Sequence, residues 1–422
     1  MLLAAYNLVA WLAQPLLRRK LARRAVAEPG YGEHVEERFG RYDVARPEGG
    51  GLWVWIHAVS LGETRAAAIL LAALRKQLPG MRLLLTSGTA TGRAEGEKLL
   101  QTGDMQVWQP WDERGAVRRF LDHFRPDVGI LMETEIWPNL LLESAARGIP
   151  MALANARLSE KSLRGAERGA WLMRPAYAAL TAVWAQTEAD AARLRAIGAP
   201  SVSVLGNLKF DADPDPALLA RGRNWRASNT KPVVMLASSR EGEEAELLRQ
   251  IDRSTIQWLI VPRHPQRFDE VAELVQSQGL SLSRRSSWCE DGTPSPADVW
   301  LGDSLGEMAA YYAMADVALL GGSFARLGGQ NLIEAAACGC PVLMGPHTFN
   351  FHEAANLAES AGAAGRVADF SEAVRAANQL VQDVAVHTAM REAGLAFAAE
   401  HRGAADRTAE SVVKLLQGSL KS

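Results

Sequence analysis

At 422 residues, 48% of them hydrophobic, the chain is long enough for two ordinary domains with large cores. Its formal net charge of −2 excludes a nucleic-acid-binding electrostatic footprint for the protein as a whole. The three cysteines, Cys289, Cys338 and Cys340, form no CxxC, which argues against structural zinc or a secreted disulfide framework and fits reducing cytosol.

The chain opens on Leu2–Ala13, apolar apart from Asn7, extended by Leu16 and Leu17 and followed by Arg18, Arg19, Lys20, Arg23 and Arg24. The apolar run is shorter than the roughly 20 residues that cross a bilayer. Its positive charge follows the run, whereas a secretory signal carries it in front. Residues 1–30 therefore read as an interfacial helix or marginal anchor, its basic cluster on anionic headgroups. The other reading is a soluble amphipathic helix packed on the protein.

From Leu52 onward strand and helix patterns alternate. Leu52–Val59, Met81–Thr86, Val128–Glu133, Met151–Asn155, Ala182–Gln186 and Val202–Leu205 read as strands. Glu63–Leu78, Thr89–Leu100 and Pro138–Arg147 read as helices, with Pro138 suited to a first turn. This α/β pattern predicts a doubly wound parallel sheet over 31–206. Residues 207–231, rich in Asp and Pro at the start, read as an interdomain linker. A second α/β series over 232–422 has strands at Val233–Ser238, Trp258–Val261, Val299–Leu301, Val317–Leu320 and Val342–Met344, a polar loop at 286–296, and a helical tail from Phe370. Two such domains predict a ligand cleft outside the carboxyl ends of the strands.

The polar motifs cluster at those strand ends. In HAVSLGE, Gly62 is expected to make a tight turn, and Glu63 falls in the first helical turn. Glu63 is either a general base for an attacking hydroxyl or a helix-capping glutamate. The helix dipole lowers its pKa and burial raises it, so the two compete. Glu133 and Glu135, two apart on an extended segment, face one site, with Arg157 as an available cation. They are either catalytic or part of a salt-bridge network. Acceptor contacts are expected from Ser60, Gly62 and Glu135. Ser238 and Arg240 open the second domain's first turn and suit a phosphate or ribose. Pro262, Arg263 and His264 end the next strand, where Arg263 can neutralise a leaving phosphate. Gly306, Glu307 and Met308 offer N–H groups at a helix start. Gly321, Gly322, Gly328 and Gly329 form a glycine loop before a helix near Gln330–Asn331, with Glu334 one turn inside it, Gly339 as its cap and Pro341 as its stop. A plain strand–loop–helix is the other reading of that stretch. There is no GxxxxGK[ST] loop, so NTP hydrolysis is not indicated. The Asp-x-Asp pairs among Asp211, Asp213 and Asp215 read as solvated linker charge, so no metal and no cofactor is expected.

HAVSLGET, METEIWPN, NARLS, GNLKFD, ASSREGEE, VPRHPQRF, GDSLGEM and GGQNLIEAAACGCPVLMGPHTFNF occur in this order between residues 57 and 351. In these motifs the chain resembles the 3-deoxy-D-manno-octulosonic acid (Kdo) transferases of Gram-negative bacteria. The resemblance implies a GT-B fold of two Rossmann-like domains and inverting, metal-independent transfer of Kdo from CMP-Kdo to a lipid A precursor, lipid IVA. It implies the anionic cytoplasmic side of the inner membrane as location, and no nucleic acid. It matches Glu63 to the family's general base, and Glu133 and Lys209 to transition-state stabilisation. It matches Pro262 with Arg263, Gly306–Met308, and Asn331, Leu332, Ile333 and Glu334 to segments that hold CMP. Asn331-Leu-Ile-Glu334 departs mildly from the family's Asn-Pro-Leu-Glu and keeps its polar ends. The competing readings are a GT-B enzyme or epimerase that uses a UDP-sugar, and a non-catalytic membrane scaffold.

Overall fold

A computed structural model describes residues 2–47, 50–288 and 294–419. Cys289 and part of the expected polar loop at 286–296 lie outside the described residues. The chain forms two compact units, Met1–Asp211 with Arg402–Ser422, and Ala212–His401.

The first unit holds β1 (Trp53–Ala58), β2 (Arg82–Ser87), β3 (Met105–Trp108), β4 (Val128–Met132), β5 (Met151–Ala156), β6 (Ala182–Ala185) and β7 (Val202–Val204). They make one parallel sheet in the order β3-β2-β1-β4-β5-β6-β7. β1, β4 and β5 are buried along their whole length, as parallel strands covered on both faces must be. Alternation along β1 sends Trp53 and Trp55 to one core with Phe120 and Phe124, and Val54 and Ile56 to the other with Leu70 and Leu74. The strand order reverses between β1 and β4, and a doubly wound sheet opens a crevice at such a point.

The second unit holds β8 (Val233–Ser239), β9 (Gln257–Pro262), β10 (Leu282–Arg284), β11 (Val299–Leu301), β12 (Val317–Leu320), β13 (Val342–Met344) and β14 (Ala364–Arg366), in the parallel order β10-β11-β9-β8-β12-β13-β14. Its order reverses between β8 and β12.

The segment 207–231 is not an open linker. Pro216–Ala227 is a helix, capped by Asp215, whose Oδ1 accepts from Ala217 N at 2.8 Å. It buries Trp225 edge-on against Trp288 at 5.2 Å, so it belongs to the second unit's core. The tail is also corrected. The helix Ala404–Ser419 belongs to the first unit, where Ala404, Ala405, Ala409, Val412 and Leu416 pack with Ala66, Leu70 and Leu74. Asp211 is therefore not solvated linker charge. Its carboxylate accepts from Gly403 N, and from Ala405 N at 2.6 Å, at the start of that last helix. Loss of such a cap costs about 1–2 kcal/mol. Asp211→Ala should lower the thermal midpoint of the first unit by several degrees. An unchanged midpoint in a calorimetric scan would show that the helix is held by its apolar face alone.

The N-terminal run forms two helices, Leu2–Leu12 and Gln14–Ala27. Among the described residues no helix is long and apolar enough to cross a membrane. Tyr6 donates to Asp112 at 2.9 Å, and Leu21 is buried, so both helices are seated on the first unit. Leu8, Val9, Trp11, Leu12 and Leu16 remain exposed. Arg18 pairs with Glu36 and lies 3.8 Å over the Phe39 ring, and Arg24 lies 4.1 Å over Tyr31.

Candidate active site

In the first unit the site grows from the carboxyl ends of β1 and β4. Ser60 caps the helix Leu61–Gln77, and its Oγ accepts from Glu63 N at 3.4 Å. Glu63 reaches back one residue beyond a standard capping box: its Oε2 accepts from Val59 N at 2.9 Å and its Oε1 from Ser60 Oγ at 3.0 Å. The capping reading is thus physically present, and it fixes the carboxylate in place. Burial pushes the Glu63 carboxyl up to about 7, and Glu135 and Glu133 add to the rise whenever they are ionised. Burial therefore outweighs the hydrogen bonds from Val59 and Ser60, and the group is poised to exchange a proton near neutral pH. Gly62 is not in a tight turn. It lies inside the first helical turn, exposed, and apart from its chain neighbours and the backbone of its own helix the nearest atom to where a Cβ would sit is Ser60 Oγ, at 4.0 Å.

Glu133 and Glu135 converge on Glu63 by a different route from an extended segment. Glu133 has φ of +55°, in the left-handed region that costs a non-glycine residue roughly 1–3 kcal/mol, and the chain turns there. The cation against Glu133 is Lys209, whose Nζ lies 3.0 Å from Oε1. Asn155 sets up that contact. It too has positive φ, at a register shift of β5, and its buried Oδ1 accepts from Leu208 N at 3.1 Å. Sequence reasoning took NARLS for Arg157 and missed Asn155. A strand-end asparagine, tolerant of the left-handed region, was the available signal. Glu135 accepts from Trp137 Nε1 at 2.9 Å, and burial holds its carboxyl above the usual range.

In the second unit the ends of β8, β9 and β12 carry the expected donor residues. Ser238 is buried at a bulge of β8, with φ of +54°, and Arg240 follows the strand. Gly321 is required by packing rather than by a ligand, since a Cβ there would lie 2.5 Å from the Ser238 carbonyl oxygen. Gly328 and Gly329, both at positive φ, are buried. Pro262 ends β9, and Arg263 and His264 follow it, exposed. Partial burial and the charges of Arg240 and Arg263 hold the His264 imidazole below its ordinary pKa, so it is neutral at pH 7. Asn331 caps the helix Leu332–Ala337, with Oδ1 accepting from Ile333 N at 3.2 Å. Leu332 and Ile333 are buried and Glu334 is half-buried. Gly339, at φ of +71°, follows the capping Cys338.

Gly306 is exposed at φ of +82°, Glu307 precedes the helix Met308–Met314, and Met308 begins it. The Glu307 carboxylate is saturated by Arg221 at 2.8 Å, Arg285 at 2.9 Å and Ser304 at 2.6 Å. That leaves the backbone of this turn as its means of holding a ligand. Glu243 and Glu244 do more than sit at a helix start. Glu243 Oε2 accepts from Gly322 N at 2.8 Å and from Arg240 N at 2.9 Å, tying the glycine loop to the end of β8. Glu244 is fully buried against Arg267, at 2.6 Å. Among the described residues no group of three or more His, Cys, Asp or Glu side chains is arranged to hold a metal ion.

Residues 33–212 match the family described as 3-deoxy-D-manno-octulosonic-acid transferase (kdotransferase). The chain is 48% identical to the 3-deoxy-D-manno-octulosonic acid transferase of Bordetella pertussis, over 94% of this chain and 96% of that one. It is 30% identical to the enzyme of the same description from Haemophilus influenzae, over 95% and 96% of the two chains. Among solved structures, a glycosyltransferase from Rickettsia africae ESF-5 superposes with a TM-score of 0.59 at 12% identity, over 89% of this chain and 100% of that one. The UDP-GlcNAc 2-epimerase of Neisseria meningitidis gives 0.58 at 15%, over 87% and 100%. At such identities these two speak for the two-domain α/β fold alone, the GT-B arrangement expected from the motifs.

Proposed function

The chain belongs to the 3-deoxy-D-manno-octulosonic acid transferase family, glycosyltransferases that transfer Kdo in lipopolysaccharide biosynthesis, and from that premise we propose its donor, acceptor and catalytic residues. The donor is CMP-Kdo, and the acceptor is a hydroxyl of a lipid A precursor. The observation that carries the reading is the convergence of Glu63, Glu133 and Glu135 at the β1–β4 crevice, with the Glu63 carboxyl lifted to about 7. Glu63 accepts the proton of the acceptor hydroxyl as its oxygen bonds to the anomeric carbon of Kdo. The bond from that carbon to the CMP phosphate breaks, and the electron pair leaves on the phosphate. The sugar centre is oxocarbenium-like in between. Lys209, paired with Glu133, supplies positive charge in the first unit. Arg263, with Arg240 and the backbone N–H groups beside Gly306 and Asn331, meets the leaving phosphate in the second. Ser60, Gly62 and Glu135 line the acceptor's approach.

Purified protein incubated with CMP-Kdo, a tetraacylated lipid A precursor and excess chelator should add Kdo units to the lipid, read by mass spectrometry. No mass gain from folded protein would overturn the donor and acceptor assignment together.

The location proposed is the cytoplasmic side of the inner membrane. The exposed Leu8, Val9, Trp11, Leu12 and Leu16 enter the interface, and Arg19, Lys20 and Arg23 meet anionic headgroups. Arg18 and Arg24 are occupied by Glu36, Phe39 and Tyr31, so the surface charge rests on the other three. At about 1 kcal/mol per basic residue near a charged bilayer, replacing Arg19, Lys20 and Arg23 by Gln should weaken binding to anionic vesicles by about 10²-fold. Unchanged sedimentation with the vesicles would make this segment an ordinary packed helix.

A further inference from the structure

His57 lies in β1, fully buried, on the strand that ends in the Ser60–Glu63 turn. Its Nδ1 lies 2.9 Å from Thr86 Oγ1 and 3.2 Å from the Thr86 carbonyl oxygen, and Thr86 Oγ1 already accepts from Trp55 Nε1 at 2.8 Å. The Thr86 hydroxyl can donate to Nδ1, or Nδ1–H can donate to the Thr86 carbonyl, and the second tautomer puts the ring's lone pair on Nε2. That Nε2 is buried with no hydrogen-bond partner, and it sits 3.9 Å from Glu135 Oε2. The separation exceeds a hydrogen bond, and contacts of this kind tighten when substrate enters.

The charge felt by each group disfavours its charged form, Arg38 for His57 and Glu133 for Glu135. Glu63 and Glu133 face Glu135, Lys209 is taken by Glu133, and Arg38 acts on His57. Burial, with Arg38 in the same direction, pushes the His57 imidazole down to about 4. Burial and the neighbouring Glu133 raise the Glu135 carboxyl. A buried ring nitrogen without a hydrogen-bond partner and a carboxyl held above its usual range therefore face each other at 3.9 Å.

We propose that His57 and Glu135 hold one proton between them as a net-neutral pair, the Glu135 O–H directed at His57 Nε2, so that His57 is a positioning residue that presents an uncharged Glu135 beside the base. The inference rests on Glu63 as the general base and Glu135 as an acceptor contact. A neutral Glu135 spares Glu63 a second adjacent anion once the acceptor has expelled water. It also keeps one carboxyl oxygen free to accept from a sugar hydroxyl.

Infrared difference spectroscopy at pH 8 tests the pair without turnover. Glu135→Gln should remove one protonated-carboxyl C=O band, and His57→Phe should remove it as well, because Glu135 then ionises. If no band is lost in Glu135→Gln, Glu135 is an anion and the pair does not exist; a band that His57→Phe leaves in place removes His57 from it. Where His57→Phe does not fold, the ¹⁵N resonance of His57 Nε2 is read in Glu135→Met. It should move toward the position of a free lone pair, and an unmoved resonance overturns the proposal. In kinetics the acid limb of the kcat/KM profile should stay in place in Glu135→Gln, whatever happens to the rate. It should rise by about one pH unit in His57→Phe, because Glu135 then ionises beside Glu63. His57→Phe/Glu135→Gln should bring it back. A limb that falls in Glu135→Gln would mean that Glu135 was charged all along. If the protein transfers no Kdo at all, the infrared band still decides the pair, so the two failures are distinct.

Discussion

Glu63→Ala is expected to lower kcat/KM for Kdo transfer by about 10²–10⁴-fold, the usual contribution of a positioned general base, while CMP binding is unchanged. The base works only when ionised. Transfer should therefore rise with pH through about 7, where burial has placed the Glu63 carboxyl. Stability should move the opposite way. Between the ordinary carboxylate range and pH 7 the folded chain binds a proton at Glu63 that the unfolded chain has released. The stability present at low pH is thus lost as pH rises through about 7. Glu63→Gln removes that penalty and should melt higher than the parent at pH 8, with the gap closing toward pH 4.5. A variant that loses CMP binding, or one that keeps turning over, would take the base role away from Glu63.

Lys209→Met carries the second large effect. Lys209 is the cation 3.0 Å from Glu133 Oε1, and only 21% of its side chain is exposed. Removing it leaves the Glu133 carboxylate unpaired beside Glu63 and Glu135, and breaking such a half-buried pair from one side costs part of the roughly 3–5 kcal/mol of a fully buried one. Part of that cost falls on folding and part on the reaction, because the positive charge proposed for the first unit's site is lost as well. A fall of about 10²-fold or more in kcat is expected, together with an acid limb displaced upward, since an unpaired Glu133 raises the Glu63 carboxyl further. Lys209→Arg should restore the position of the limb. An unshifted limb in Lys209→Met would show that Glu133 and Glu63 do not communicate, and that Lys209 serves the fold alone.

Much of this was legible in the residues. The apolar runs at Val128–Met132, Val317–Leu320 and Val342–Met344 are strands in the structure, and the polar motifs do fall where strands end. What escaped were features that composition does not mark. β3 is four residues of mixed character, and β14 is Ala-Gly-Arg, with no β-branched or aromatic residue; each exists because a neighbouring strand offers its edge. The left-handed backbones of Glu133 and Ser238 are imposed by a turn and a bulge at the sheet's ends, on residues that do not favour them, and Asn155 alone of the three is a type that tolerates its own. Glycine would have betrayed such positions, and glutamate does not. The helix Pro216–Ala227 was hidden by the charge of the segment it sits in, although Asp215-Pro216 is a sound start signal. The return of Ala404–Ser419 to the first unit is a tertiary fact with no local signature.

That return bears on how the protein is made. The half that leaves the ribosome first carries a hydrophobic face, with Ala66, Leu70 and Leu74, whose cover includes Ala404, Ala405, Ala409, Val412 and Leu416 at the far end of the chain. Domains usually fold in order of emergence. Here the first must wait, partly uncovered, while the whole of the second is translated. A nascent chain halted near residue 401 would present that face to chaperones, and release of the final helix would be the event that retires it.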